Sequence, residues 1–197
     1  PEAEAFVRAY LKDVTMHEVG HTLGLRHNFR SSRAYSLAQL SDPAFTRANG
    51  IAGSVMEYAP INLNLASEPK LSPGAAYGTD EDNILGVDPE TLVFDLGNDP
   101  VAFAKKRIAI ARELLARQET RQLLPTDDWG VLRRSVMFAL RDVARSAGIV
   151  ARQIGGVRTV RDAPGTGRDP LTPVSAAEQR AALDLITTSL LSADSLK

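Results

Sequence analysis

The chain of 197 residues contains no cysteine. Disulfides and thiolate metal ligands are therefore excluded, and with them thiol redox chemistry and cysteine-based zinc fingers. No run of about 18 apolar residues is present either, so hydropathy gives no transmembrane helix. An excess of one charge sign is also missing: Lys+Arg 23 against Asp+Glu 24 leaves a formal charge of -1, too balanced to hold a polyanion or an anionic membrane by electrostatics alone. Nucleic acid is therefore not expected as a partner. The opening "PEAEAF" is acidic where a signal peptide is basic, and no initiator Met precedes it. The chain is accordingly expected to be a piece of a longer protein. Histidine is scarce, with three copies, and all three fall within "HEVGHTLGLRHNF", His17 to Phe29.

What remains is a globular composition, 44% hydrophobic and 24% charged, long enough for one domain or two small subdomains. No internal repeat or low-complexity tract interrupts it. Glu2 and Glu4 suit a helix start, and no proline intervenes before Leu25, so a helix is predicted from about Glu2 to Leu25. Phe6, Tyr10, Val14, His17 and His21 share one face, and Val7, Leu11, Val19 and Leu23 line a second stripe. A helix with two apolar stripes is expected to be buried on two sides. Short helical and loop pieces follow as far as Asn64.

Residues 66–98 are rich in Gly, Pro, Asp and Asn and read as an irregular connection. Beyond them, Asp99 as cap and Pro100 in the first turn open an amphipathic helix with Val101, Ala104, Ile108, Ala111 and Leu115 on one face. Another is predicted from about Asp127 to Gln153, with Leu132, Val136, Leu140, Val143, Ala147 and Val150 inward. "GGVRTVR" leans toward a strand. Ser175 and Glu178 form an S-x-x-E capping box at the start of a last helix. The fold class expected is mainly α, divided into a site region 1–65, a connection 66–98 and a helical C-terminal region 99–197.

Residues four apart in a helix lie on one side a turn apart, so His17 and His21 can aim two imidazoles at a common point. Such a pair suits a tetrahedral zinc ion, and Glu18 beside it has the placement of a general base. His27 lies six residues beyond His21, where a continued helix would carry it off the metal-facing side. Gly24 supplies the break, because glycine adopts positive φ at little steric cost. Three histidine ligands with the fourth position left for water or substrate are the arrangement of a catalytic zinc site.

"HEVGHTLGLRH" matches H-E-x-x-H-x-x-G-x-x-H, and the chain resembles the metzincin zinc metallopeptidases. "SVMEY", Ser54 to Tyr58, is similar to their methionine turn, in the S-x-M-x-Y form of the astacin and serralysin branches. The resemblance implies Met56 as an apolar floor beneath the histidines, and Tyr58 as auxiliary metal ligand or stabiliser of the transition-state oxyanion. It also implies Zn2+ as cofactor and a polypeptide as substrate. "TDEDNILGVDPETLVFDLGNDPVAFAKKRI" and "GGVRTVRDAPGTGRDPLTPVSAAEQRAALDLI" are similar to segments of large exported bacterial zinc-dependent peptidases, formerly catalogued as domains of unknown function. A periplasmic or extracellular location is implied. Two departures stand out: only sixteen residues precede His17, so the β-sheet that metzincins place before the zinc helix is expected to be largely absent from this chain, and Asn28 occupies a position where several branches carry Asp.

Three lesser features are expected to be inert. Asp80, Glu81, Asp82 and Asp88 suggest calcium, but Ile84 and Leu85 stand where an EF-hand needs a ligand and a glycine, so they read as a solvated loop. Asp13, four before His17, reads as a solvated helix carboxylate rather than a partner of that histidine. Arg134, Arg141, Arg145 and Arg152 form a charged stripe of the kind that keeps a helix soluble. The function expected is that of a zinc endopeptidase or its catalytic subdomain. The rival is a noncatalytic, zinc-stabilised helical binding module, against which the presence of Glu18 speaks, since a structural site needs no base.

Overall fold

A computed structural model describes residues 2–71, 95–118, 128, 130–159 and 165–193. The chain is mainly α, as its patterning predicts, and divides into two compact units, residues 1–103 and 104–197. Among the described residues no helix is long and apolar enough to cross a membrane. The acidic loop Asp80, Glu81, Asp82 and Asp88, like most of the 66–98 connection, lies outside the described residues.

The first unit opens with α1, Glu2–Thr22. It ends three residues earlier than the periodicity suggests because Gly24 terminates it. Gly24 has φ 87, the Leu25 N–H reaches back to the Gly20 carbonyl at 3.0 Å, and the Gly24 N–H reaches the His21 carbonyl at 3.0 Å. This paired 6→1 and 5→2 closure is a Schellman motif, and it reverses the chain direction within a few residues.

Burial on two sides of α1 is not observed. Val7 is 50% exposed, Leu11 56%, Val19 49% and Leu23 73%, and Tyr10 and Val14 on the other stripe are exposed as well. Apolar periodicity reports which residues share a face, and leaves open whether another element packs on it. Only around His17 and Gly20 does α1 become buried.

After His27 a 3₁₀ turn, Ser31–Ala34, leads into α2, Leu37–Ser41, and α3, Pro43–Asn49. Ser36 and Gln39 cap α2 reciprocally, while Asp42 caps α3 ahead of Pro43, the arrangement in which a missing N–H costs nothing. The methionine turn follows directly. Leu40, Ile51, Met56 and Leu96 are fully buried in this unit. Asp95–Asn98 runs back along the 3₁₀ turn, the Gly97 N–H meeting the Ser32 carbonyl at 2.9 Å and the Asn98 N–H that of Tyr35 at 3.0 Å.

Helix α4, Pro100–Ala116, starts where Asp99 Oδ1 accepts the N–H groups of Val101 and Ala102, both at 3.0 Å. Of its expected inner face, Ala104, Ile108 and Ala111 are buried, while Leu115 is exposed. Helix α5, Gly130–Ala151, is rotated from the expectation: Leu140 is 51% exposed, and the buried set is Ala139, Asp142, Ser146, Ile149 and Val150. Asp142 turns inward because Arg107 Nε meets its Oδ2 at 2.6 Å, and a buried carboxylate is tolerable when so paired. Arg134, Arg141, Arg145 and Arg152 are exposed, as their stripe predicts.

Strands β1, Val157–Thr159, and β2, Leu171–Pro173, pair antiparallel with Arg158 opposite Thr172. They frame the capping box of α6, Ala176–Leu185, in which Ser175 and Glu178 satisfy each other's backbone N–H. The helix then runs into a π-helical turn, Ile186–Leu190.

Candidate metal centre

Helix α1 sets His17 and His21 a turn apart, with ring centroids 4.8 Å from each other. The Schellman turn at Gly24 brings His27 back, so that its Nε2 lies 3.2 Å from His21 Nε2 and 3.2 Å from His17 Nε2. Three ligand nitrogens, all within 4.8 Å of one another, form a group that could hold a metal ion. His17 is buried and the other two are half-buried.

The outer nitrogens decide what the inner ones can do. His17 Nδ1 lies 2.8 Å from the Val55 carbonyl, and His21 Nδ1 lies 3.0 Å from the Leu25 carbonyl. A carbonyl can only accept, so each Nδ1 carries a proton, and in the neutral form of such a ring Nε2 is the nitrogen with the lone pair, facing inward. Lone pairs aimed at one another repel unless something positive lies among them. Tetrahedral zinc with bonds of about 2.0 to 2.1 Å needs nitrogens about 3.3 Å apart, and the two 3.2 Å separations match. The donor set therefore fits zinc. Burial, then the neighbouring His17 and His21, pull the pKa of His27 below its ordinary value, while the Glu18 charge opposes them. A lowered pKa keeps the ring neutral, the form that binds metal.

The turn at Ser54–Tyr58 packs against the histidine-bearing segments. Ser54 Oγ accepts the Met56 N–H at 3.1 Å, and the Met56 carbonyl accepts the Asn28 N–H at 2.8 Å. Met56 is fully buried, its Sδ pressed against the Cα of Gly20 so closely that a β-carbon there would collide with it. The Tyr58 ring stacks on His17 at 5.2 Å and 19° and sits 4.4 Å from that of His27. Phe29 stacks on the other ring, 4.8 Å from His27.

Glu18 is exposed on α1, within electrostatic reach of His27. Asp13 is half-buried, and burial raises its pKa against the pull of His17; it is not the solvated carboxylate expected, nor does it hold His17 Nδ1, which faces Val55.

Two buried carboxylates near the methionine turn escape sequence reasoning. Glu57 accepts hydrogen bonds from Ser31 Oγ and the Ser32 N–H, each at 3.1 Å, and from the Tyr58 N–H at 2.9 Å. Burial pushes its pKa up to about 8 against those donors. Asp95 accepts from Ser32 Oγ at 3.1 Å and is pushed by burial up to about 6. One sign was available: a carboxylate between a buried methionine and a tyrosine of the site has little room to reach solvent.

Three imidazole nitrogens at zinc-like separations, beside a methionine packed on the helix that bears two of them, form a group that could hold a metal ion. A family model described as Met-zincin matches residues 1–73 and residues 63–197, and the chain belongs to the Met-zincin family. Membership supports a zinc-metallopeptidase-like function. No curated protein and no solved structure matches the chain.

Proposed function

We propose that this chain is the catalytic part of a zinc endopeptidase, with His17, His21 and His27 as ligands and Glu18 as general base. The observation that carries the reading is the convergence of three Nε2 atoms, two of them on rings whose Nδ1 faces a backbone carbonyl. Zinc held there supplies Lewis acidity, which lowers the pKa of water to near 7 and polarises a peptide carbonyl. Val55 and Leu25 keep the rings of His17 and His21 in one tautomer, as outer partners of metal-binding histidines do. Glu18, exposed beside His17, takes the proton of the attacking water and passes it to the leaving amine. Tyr58, stacked along the same rings, offers its hydroxyl to the developing oxyanion, either as auxiliary ligand or as stabiliser. Gly24 fixes the turn that returns His27, and Met56 is the floor. Resemblance to exported bacterial peptidases supports a periplasmic or extracellular site of action.

Cleavage of an unstructured polypeptide, measured with and without chelator, tests the reading. Activity that chelation removes and zinc restores is expected. Glu18→Ala should keep zinc and lose about 10² to 10⁴ in turnover, the usual contribution of a general base. Zinc bound without any cleavage would instead favour the noncatalytic, zinc-stabilised module.

A further inference from the structure

Glu57 is buried, polar and unused by the proposed chemistry. Its side chain joins two segments that are 26 residues apart in sequence. One oxygen, Oε1, accepts the N–H of Tyr58, whose ring stacks on His17. The other, Oε2, accepts from the Ser32 N–H and the Ser31 hydroxyl, in the segment that continues from His27 and Phe29. Backbone bonds run alongside, from the Asn28 N–H to the Met56 carbonyl at 2.8 Å and from the Gly53 N–H to the Ser31 carbonyl at 2.9 Å. Those bonds hold the segments together, while the carboxyl group ties the Tyr58 amide and the Ser32 amide to a single rigid group. A buried carboxyl group whose two oxygens accept from three donors is costly to lose, because each donor is then left without its acceptor.

We propose that Glu57 is a positioning residue of the metal centre: by holding Tyr58 and the segment after His27 on one carboxylate, it sets the spacing between the third histidine and the tyrosine wall. This rests on reading the three histidines as a metal site. The side-chain chemistry gives graded variants. Glu57→Gln keeps the volume but has one acceptor oxygen, so its amide group must face either the Tyr58 N–H or the Ser31–Ser32 donors. Glu57→Ala removes both acceptors. Leu40→Ala, a cavity elsewhere in the core of the same unit, serves as a control for general destabilisation.

The experiment is zinc affinity of the full chain, read by competition with a chromophoric chelator, together with amide hydrogen exchange at Tyr58 and Ser32 in metal-free protein. Loss of an outer partner of a metal ligand typically costs 10- to 100-fold in affinity. Glu57→Ala is expected to lose zinc affinity in that range and to release both amides together; Glu57→Gln is expected to lose less and to release one amide. Leu40→Ala should lower thermal stability and leave affinity within about twofold of wild type, on the same scale of effects. Should Glu57→Ala not fold, the near-isosteric Glu57→Gln decides the matter. Unchanged zinc affinity in a folded Glu57 variant, with stability lowered as in Leu40→Ala, overturns the proposal and leaves Glu57 a structural residue. Failure of wild type to bind zinc is a different result: it removes the metal reading itself, and the positioning role with it.

Discussion

Met56 Sδ occupies the space where a β-carbon of residue 20 would stand, so Gly20 and Met56 are fitted to each other. Gly20 lies between the two helical histidines, and the methionine can come this close only because that position has no side chain. Gly20→Ala should therefore overpack this contact and destabilise the first unit by about 1 to 3 kcal/mol. Chemical denaturation measures it. Met56→Ala empties the same space and should cost about 2 to 5 kcal/mol. The two effects should not add, since the pair share one contact; strict additivity would show that the contact does not matter.

Gly24 offers a separate test, because nothing lies within 4 Å of a β-carbon built there. Its φ of 87 is the whole constraint. Gly24→Ala should cost about 1 to 2 kcal/mol through the left-handed backbone alone, and Gly24→Asn less. If the Schellman turn positions His27, the alanine variant should also bind zinc more weakly than the asparagine variant. Equal affinity in both would separate the turn from the site.

The second unit carries its own acid sensitivity. Hydrogen bonds from Arg158 at 2.6 Å and then from Ser175 hold the Glu178 carboxyl down to about 2, against 4.5 for the ordinary group. A depressed carboxylate contributes stability that is complete above its unfolded pKa and disappears as pH falls from there toward about 2. The side chain is 42% exposed, so screening limits the contribution to about 1 kcal/mol, the usual worth of such a cap. Glu178→Gln should lower the denaturation midpoint near pH 7 and leave it unchanged near pH 2. A wild-type midpoint that stays flat between these values would contradict the assignment.

The convergence of the three histidines was legible in the sequence because the spacing that brings them together is local, although the Val55 carbonyl behind His17 is not. Helical spacing sets His17 over His21, and one glycine returns His27, so eleven consecutive residues dictate where three nitrogens meet. The Ser175–Glu178 capping box is local for the same reason. What escaped depends on distant partners. Leu140 looks like core and Asp142 like surface until Arg107 arrives from another helix. Likewise Glu57 is intelligible only once Ser31 and Ser32 are beside it. The exposed stripes of α1 make the complementary point: periodicity names a face without supplying what would cover it.

Zinc content of the purified full chain, equilibrated with the metal and then desalted, tests the central claim most directly. Near pH 7 the account predicts one zinc per chain. Dialysis near pH 5, below the reference histidine pKa of about 6.5, should release it as protons compete for the same nitrogens. His27→Ala should bind far less at either pH. A wild-type chain that takes up no zinc near pH 7, or holds as much after His17, His21 and His27 have been replaced, would contradict the account.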